Sequence, residues 1–594
     1  MTLFTYALPI ATALLLVFFF SALPPLKSCQ LPHGADRAPD HVDWALIALI
    51  SLVYAAVAFA RLGDRSDPET FVPLEGQTAT LTLDEPAQPA SAMLYSGVGM
   101  GNYDLQVSYD GAEFITVHRI EQGSADVLKW RTFSLYDVSE AIVSLRVTGA
   151  AGTPWLGEVV LLDADGGVLP LHSEVSALCD EAETVPEKQT YMNSTYFDEI
   201  YHARTAWEHL HGVWPYEISH PPLGKEILSL GILLFGMTPF GWRFSGTLFG
   251  VLMLPVMYLL LRRLFGGKAV PALGTVVFAS DFMHFVQTRI ATIDTYAVFF
   301  ILLMYLFMLI WLQEGKNTSL ALCGLSFGLG AASKWTCLYA GAGLGVLWAA
   351  HWVLSFLPLS RGKQSDSSPS ALLPRFLKNA GFCLIFFVAL PCLIYYLSYL
   401  PYGAAQGYSP LSRDYLRIVL ENQRFMFTYH SSLVATHPYS STWYQWLLNI
   451  RPILYYLDYL PDGTRVSICA LLSPALCWGG FLSLFVLFYT AIFRRDKTAA
   501  FILVGYLAQL LPWVFITRLT FAYHYFPASV FLVLALGYVF TLLRDGSRHG
   551  IWYAAGFACV SVCLFVLFYP ALAGTPVDNL LGSRLLQWLP TWPL

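Results

Sequence analysis

Two hydrophobic textures divide this chain. Over most of its length apolar residues run on for about 18–22 positions with few charges. These runs lie near 5–24, 43–60, 241–261, 269–286, 295–312, 319–334, 336–357, 380–400, 467–493, 498–516, 525–543 and 551–570. Runs of that length cross a bilayer as helix, so the pattern predicts about twelve spans. From about Glu69 to Leu171 the texture turns to alternation, as in "TATLTL", "YDLQVSYDG", "FITVHRI", "IVSLRVTG" and "GEVVLLDADGG". A period of two in short stretches, punctuated by Gly, Asp and Asn, predicts an antiparallel β-sandwich or jelly roll. "SYDGAEF" marks a hairpin turn at Asp110-Gly111.

Charge placement orients the spans. With the N-terminus outside, the odd-numbered connections are cytoplasmic. Those are the short basic stretches "RRLFGGK", "RGKQ" with "PRFLK", "RRDK" and "LRDGSR", as the positive-inside rule requires. Two long segments, about 61–240 and 401–466, then fall outside. The expected organisation is two N-terminal helices (1–60), a β-sandwich (69–175), a helical core opening on an external loop (190–400), a second external loop (401–466) and a four-helix C-terminal part (467–594). The Ser-rich stretch 363–374 reads as a cytoplasmic loop.

Composition agrees with this class. The chain of 594 residues is 56% hydrophobic and 12% charged, with a mean hydropathy of +0.54. A soluble chain carries about 25% charged residues. No basic-aromatic face appears, which excludes nucleic acid as a partner. The ten cysteines are scattered, mostly inside apolar runs, and read as packing residues rather than a disulfide framework. The first run has no Lys or Arg before Lys27 and reads as a retained helix rather than a signal peptide.

Ionisable residues gather on the predicted outer side. "YFDEIYHART" holds Asp198, Glu199, His202 and Arg204, and "EISHPPLGKE" holds His220 and Lys225. Arg243 opens a span, Arg289 and Asp294 flank "TRIATIDT", and Lys334 sits in "SKWT". His437 and Arg451 lie in the second external loop, with Arg518, His524 and Tyr525 in "TRLTFAYHYFP". Charges at membrane depth are costly and mark function when they converge. Singly each has a plainer reading: Arg243 snorkels to the interface, Trp443 and Trp446 form an aromatic belt, and Asp294 pairs with Arg289. Together, two acids and several fixed cations suit a deprotonation beside a phosphate-bearing, lipid-linked donor. Within the sandwich, Trp130, Trp155 and Tyr109 are candidate sugar readers. The plainer reading there is a spacer domain, and the stretch resembles discoidin-like carbohydrate-binding sandwiches.

The ordered set "FDEIYH", "SHPPLGKEIL", "FGWRFSGTLFG", "TRIATIDTYAVFF", "SKWT", "HPYSSTWYQWLLNIRPILYY", "SPALCWGG" and "GYLAQLLPWVFITRLTFAYHYFPA" covers about 350 residues. It resembles the protein O-mannosyltransferases, the dolichyl- or polyprenyl-phosphate-mannose-dependent glycosyltransferases with the GT-C fold. The loop 401–466 is too short for the MIR module of eukaryotic members, so the chain looks like a bacterial-type member in the plasma membrane, with its active site extracytoplasmic. The resemblance implies a polyprenyl-phosphate-linked donor with mannose as its sugar, a Ser/Thr-containing acceptor protein, and inversion at the sugar. It implies Asp198 as general base with Glu199 beside it, and Arg243, Lys334, Arg289 and Arg518 around the donor phosphate. His220, His202, Asp294, His437, Arg451, His524 and Tyr525 would line the acceptor groove or pocket. No cofactor is assigned. Asp198, Glu199 and His202 offer ligands for a divalent cation but lack a metal spacing. Other readings keep the donor and change the acceptor to a glycolipid or wall polymer, or make the chain a flippase of lipid-linked sugars or a sugar-sensing receptor.

Overall fold

The computed structural model describes residues 3–26, 38–360 and 369–594. Lys27, Cys29 and residues 363–368 of the Ser-rich stretch lie outside the described residues, while 369–374 open helix α11 rather than continuing a loop. In chain order the helices begin with α1 (Leu3–Ser21), α2 (His41–Phe59), α3 (Glu199–Leu210), α4 (Leu223–Phe235), α5 (Pro239–Phe265), α6 (Ala269–Ala279) and α7 (Phe282–Arg289). They continue with α8 (Asp294–Glu314), α9 (Asn317–Ser333), α10 (Thr336–Ser360), α11 (Pro369–Leu384), α12 (Leu390–Leu397), α13 (Leu400–Ala405) and α14 (Arg413–Ser432). The last are α15 (Trp443–Trp446), α16 (Pro474–Phe493), α17 (Lys497–Leu510), α18 (Phe526–Gly546), α19 (Gly550–Ala573) and α20 (Asn579–Leu585).

The chain folds as two compact units. One comprises Met1–Ala60, Ile218–Glu226 and Gly246–Leu594; the other comprises Arg61–Glu217 and Ile227–Ser245.

The first unit is helical and spans the membrane. Among the described residues of the whole chain, 9 helices are long and apolar enough to cross a bilayer, and 10 if the pair α6–α7, bent by 56°, is one span. The expectation was about twelve spans. α1 has 19 residues and α9 has 17, the lower end of the range that crosses a bilayer. The expected span 467–493 begins too early. Thr464–Ala470 is a strand pairing with Ile453–Tyr459 and, at its start, with Val577–Asp578. The β-branched alternation of "TRVSICA" explains that choice. The second external loop carries the 20-residue helix α14 as well, which buries Tyr415, Val419, Asn422 and Met426. That is the 3–4 spacing of an amphipathic helix.

The second unit contains the sandwich. Its strands are β1 (Val72–Pro73), β2 (Thr78–Ala87), β3 (Ser91–Ser96), β4 (Gly101–Ser108), β5 (Ile115–Gln122), β6 (Lys129–Ser134), β7 (Ile142–Gly152), β8 (Trp155–Leu162), β9 (Val168–Leu169) and β10 (Leu171–Ser173). One sheet runs β1-β8-β3-β6 with β9 beside β8, and the other runs β10-β2-β7-β4-β5. Leu81, Leu105, Val107, Leu145 and Val147 face Ala92, Leu94, Val159 and Leu161 in a shared core. Leu81, Leu105, Val107, Leu145 and Val147 alternate with polar neighbours, which is the period the sequence carries. At the predicted turn, Gly111 takes φ +78°, and Asp110 accepts from the Ala112 and Glu113 amides at 2.8 and 2.9 Å.

β8 breaks the alternation, being buried from Leu156 to Leu161. Its second face is covered by aromatic residues from elsewhere in the unit. Trp207 of α3 lies 5.5 Å from Trp155 and 5.4 Å from Phe71, ring centre to ring centre. Trp130 is fully buried and donates its indole N–H to Asp67 at 3.0 Å, beside the Tyr95 hydroxyl at 2.9 Å. Trp130 and Trp155 are thus packing residues rather than sugar readers; Tyr109 stays exposed. Burial holds the Asp67 carboxyl well above the usual range, against the two hydrogen bonds. Trp130→Phe should remove one of two donors to Asp67 and cost about 1–3 kcal/mol, read as lower unfolding resistance of the detergent-solubilised protein.

Candidate functional site

The acid pair opens α3, and the turn before it is strained. Phe197 has φ +49°, a left-handed conformation uncommon for a bulky residue. That kink separates the two acids. Glu199 is the first residue of α3, whereas Asp198 is the N-cap and makes no side-chain capping bond. Asp198 is half-buried at the positive end of the helix dipole, which favours a carboxylate.

Glu199 is fully buried. Arg243 donates Nε–H to its Oε1 at 2.7 Å and Nη2–H to its Oε2 at 2.7 Å, a bidentate clamp. Trp242 Nε1 at 3.3 Å and the Tyr196 amide at 3.2 Å complete its shell. Arg243, itself fully buried, also donates to the carbonyls of Leu62 at 2.9 Å and Ser194 at 3.0 Å. Four donor contacts leave it committed to this cage. Arg243 is fully buried rather than snorkelling to the interface. Upstream, Thr195 ties the same segment to the sandwich through the carbonyls of Val127 and Leu128, at 2.7 and 3.1 Å.

Further along α3, His202 is buried. Arg204 is paired with Glu208 at 2.7 Å and lies 4.0 Å over the Tyr216 ring. Burial raises the Glu208 carboxyl despite that partner.

The other unit holds a group of cations and rings. Lys334 is the C-cap of α9 and Asp294 the first residue of α8, so each sits at the helix end its charge prefers. They form a buried pair at 2.7 Å. Asp294 therefore pairs with Lys334, not Arg289. Arg289 is buried and donates to the carbonyls of Ala58 and Ala60 at 3.0 and 2.8 Å, closing the C-terminal end of α2. This contradicts a place for Arg289 on donor phosphate. Arg518 is half-buried, with its Nη1 3.4 Å from the Leu519 carbonyl, and burial lowers its basicity.

His220 bonds through Nδ1 to the Ser219 hydroxyl at 3.1 Å, and its ring stands 5.1 Å from His430. Lys225, fully buried, donates to the His220 carbonyl at 3.2 Å. His430 Nε2 is 2.8 Å from the Ser219 carbonyl. Burial first, then the charges of His220, Arg518 and Lys334, push the His430 ring down to about 4. His524 is buried between Tyr523 and Trp513, at 4.6 and 4.5 Å, and Lys334 lies 5.9 Å over the Tyr523 ring. Trp335 stands 6.2 Å from His430.

Three further expected pocket residues have partners of their own. Tyr525 is buried against the Tyr506 hydroxyl at 2.7 Å. Arg451 donates to the Pro438 carbonyl, and His437 stacks edge-on to Phe521 at 5.0 Å, so both brace the 437–451 loop. Trp446 is buried beside Trp513 at 5.6 Å, not in an aromatic belt. His430 and Trp335 are the residues the sequence reading missed. The signal for His430 was the buried 3–4 spacing of α14, inside a segment taken as loop.

The long apolar helices make the chain a polytopic membrane protein. Two family models match the chain: "Dolichyl-phosphate-mannose-protein mannosyltransferase" over residues 235–401 and "C-terminal four TMM region of protein-O-mannosyltransferase" over 415–592. The chain belongs to the protein O-mannosyltransferase family. It is similar to the polyprenol-phosphate-mannose–protein mannosyltransferases of Mycolicibacterium smegmatis (26% identical, 67% of this chain and 87% of the relative) and Mycobacterium tuberculosis (27%, 67% and 86%). Its fold matches the Pmt1–Pmt2 complex of S. cerevisiae with a TM-score of 0.58, at 15% identity over 67% of this chain and 89% of that one.

Two outcomes are expected from this geometry. Arg243→Met should leave Glu199 charged and buried, costing about 3–5 kcal/mol, and Arg243→Met/Glu199→Gln should recover part of that loss, both read by unfolding in detergent. His430 has a folded value depressed below 6.5 to about 4. The neutral ring therefore stabilises the fold above pH 6.5, and that contribution is lost as pH falls through 6.5 towards 4. His430→Gln should flatten the fall in unfolding temperature across that window.

Proposed function

We propose that this protein transfers a mannosyl group from a polyprenyl-phosphate carrier to Ser or Thr hydroxyls of acceptor proteins, on the extracytoplasmic side, with Asp198 as general base. The observation that carries the reading is the division of the acid pair. Glu199 is neutralised inside the Arg243 cage, whereas Asp198 stands at the strained start of α3 without capping its own helix. The curated relatives, named for a polyprenol-phosphate-mannose donor and protein acceptors, support the donor and acceptor classes.

In the proposed step Asp198 takes the proton of the acceptor hydroxyl as its oxygen bonds to the anomeric carbon. The bond from that carbon to the phosphate oxygen breaks on the opposite side, so configuration inverts. The electron pair leaves on the lipid phosphate. Lys334 and Arg518 are the proposed phosphate contacts, where fixed cations offset the charge that grows on the leaving group. His220, His430 and His524 are proposed to shape the pocket around the sugar and phosphate. No cofactor is required by this step, because the leaving group needs no added proton.

The test uses purified protein with polyprenyl-phosphate-mannose and a Ser/Thr-containing peptide, read by intact mass. A mannosylated peptide is expected. Labelling only of a glycolipid or wall-polymer acceptor, with none of the peptide, would sink the acceptor assignment. Asp198→Asn should lower turnover by about 10²–10⁴-fold while leaving thermal unfolding unchanged; near-normal turnover would remove Asp198 from the role.

A further inference from the structure

In the sandwich-bearing unit, ahead of the acid pair in the sequence, three carboxylates converge where nothing in the transfer reaction uses them. Glu158 on β8, Asp180 and Glu181 each place one carboxylate oxygen so that all three lie within 4.8 Å of one another. Glu158 is fully buried. Its Oε2 accepts the Glu181 amide at 3.1 Å, but its Oε1, also buried, meets no hydrogen-bond donor among the described residues. A buried carboxylate oxygen without a donor is costly and calls for a partner. The charges acting on Glu158 are those of Asp180, Glu181 and Glu183, all of its own sign. No cation is among them.

We propose that Glu158, Asp180 and Glu181 form a calcium site that staples the inserted sandwich. The ligand set is oxygen only, which selects a hard cation, and oxygens spread up to 4.8 Å apart suit an ion with bonds of about 2.3–2.6 Å. Mg²⁺, with bonds of about 2.0–2.1 Å, wants a tighter cage. The half-buried Glu181 shows what the ion would hold. Its carboxylate accepts the backbone amide of Glu69 at 3.1 Å and the Thr70 hydroxyl at 3.1 Å. Those residues precede β1, where the chain enters the sandwich, and 180–181 follow β10, where it leaves. An ion on Glu158 would tie entry and exit to a central strand of one sheet.

The alternative occupant is a proton. Burial, then the neighbouring acids, lift the Glu158 carboxyl to about 8, so a neutral Glu158 would also relieve the repulsion. Calcium binding separates the two. The full-length protein in detergent, stripped with chelator, is titrated with Ca²⁺ by calorimetry. One Ca²⁺ per chain is expected, with Kd on the order of 10⁻⁴–10⁻³ M or tighter, the range of extracellular modules. Asp180→Asn/Glu181→Gln, at exposed and half-buried positions that leave the core intact, should weaken binding at least roughly tenfold, since affinity follows ligand charge count. Glu158→Gln should do the same, while Glu183→Gln, an exposed neighbour outside the ligand set, should bind like the parent. Ca²⁺ should raise the unfolding temperature of the parent and not of the double variant. Absence of saturable Ca²⁺ binding, or equal binding by the double variant, would overturn the site and leave the proton as occupant.

Discussion

Everything around the acid pair depends on one buried ion pair. Glu199 and Arg243 are both inaccessible to water, and each alone would be among the most expensive groups to bury. Bidentate geometry at 2.7 Å, plus the Trp242 and Tyr196 donors and the Leu62 and Ser194 carbonyls, satisfies nearly every polar atom. The pair thereby joins three stretches distant in sequence: the chain after α2, the turn before α3 and the first turns of α5. Because breaking it leaves a naked charge, these stretches have a single low-energy arrangement. The left-handed Phe197 is a local cost that such an arrangement sustains.

The same logic sets the sandwich. A free-standing sandwich would show alternation on every strand, with outer faces wet. Here β8 is buried on both sides because Trp207 and Phe71 roof it, and Trp130 and Tyr95 are turned inward to Asp67. Tryptophans that look like sugar platforms in the sequence are instead the contact by which the module and α3 share one compact unit. Thr195 adds a direct backbone link between β-rich and acid-bearing segments.

How much was legible from the chain follows the physics of each signal. Long apolar runs and strand alternation are collective patterns, so the membrane class, the sandwich and the Asp110-Gly111 turn could be read. The start of the span expected at 467 fell too early because hydropathy does not see that "TRVSICA" pairs with a neighbour. The candidate charges were found as residue types, but their partners are tertiary facts. Nothing local to "TRIATIDT" tells that Arg289 closes α2 while Asp294 turns to Lys334. α14 was missed because its burial is narrow, only Tyr415, Val419, Asn422 and Met426 facing in, and polar residues dominate the rest. With it went His430.

Adjacent acids commonly disable one another, since two like charges close together cannot both ionise cheaply. The cage resolves that conflict. Arg243 compensates Glu199, and Asp198 stands at the N-terminus of α3, the helix end that favours a carboxylate. In the proposed displacement this is sufficient on the acidic side. A glycosidase needs a second carboxyl to protonate a poor leaving group, whereas a lipid phosphate departs as a stable anion and requires only cations. The histidines fit that demand. His430 is held neutral down to about pH 4 by burial and by the very cations beside it, so it is unsuited to donating a proton near neutrality and suited to lining a pocket. Lys334, anchored by Asp294 at a helix C-terminus, keeps its charge in a fixed place, and preorganised charge costs no reorganisation when the phosphate leaves. The asymmetry between one base and several fixed cations is what an inverting transfer from a phosphate carrier asks for.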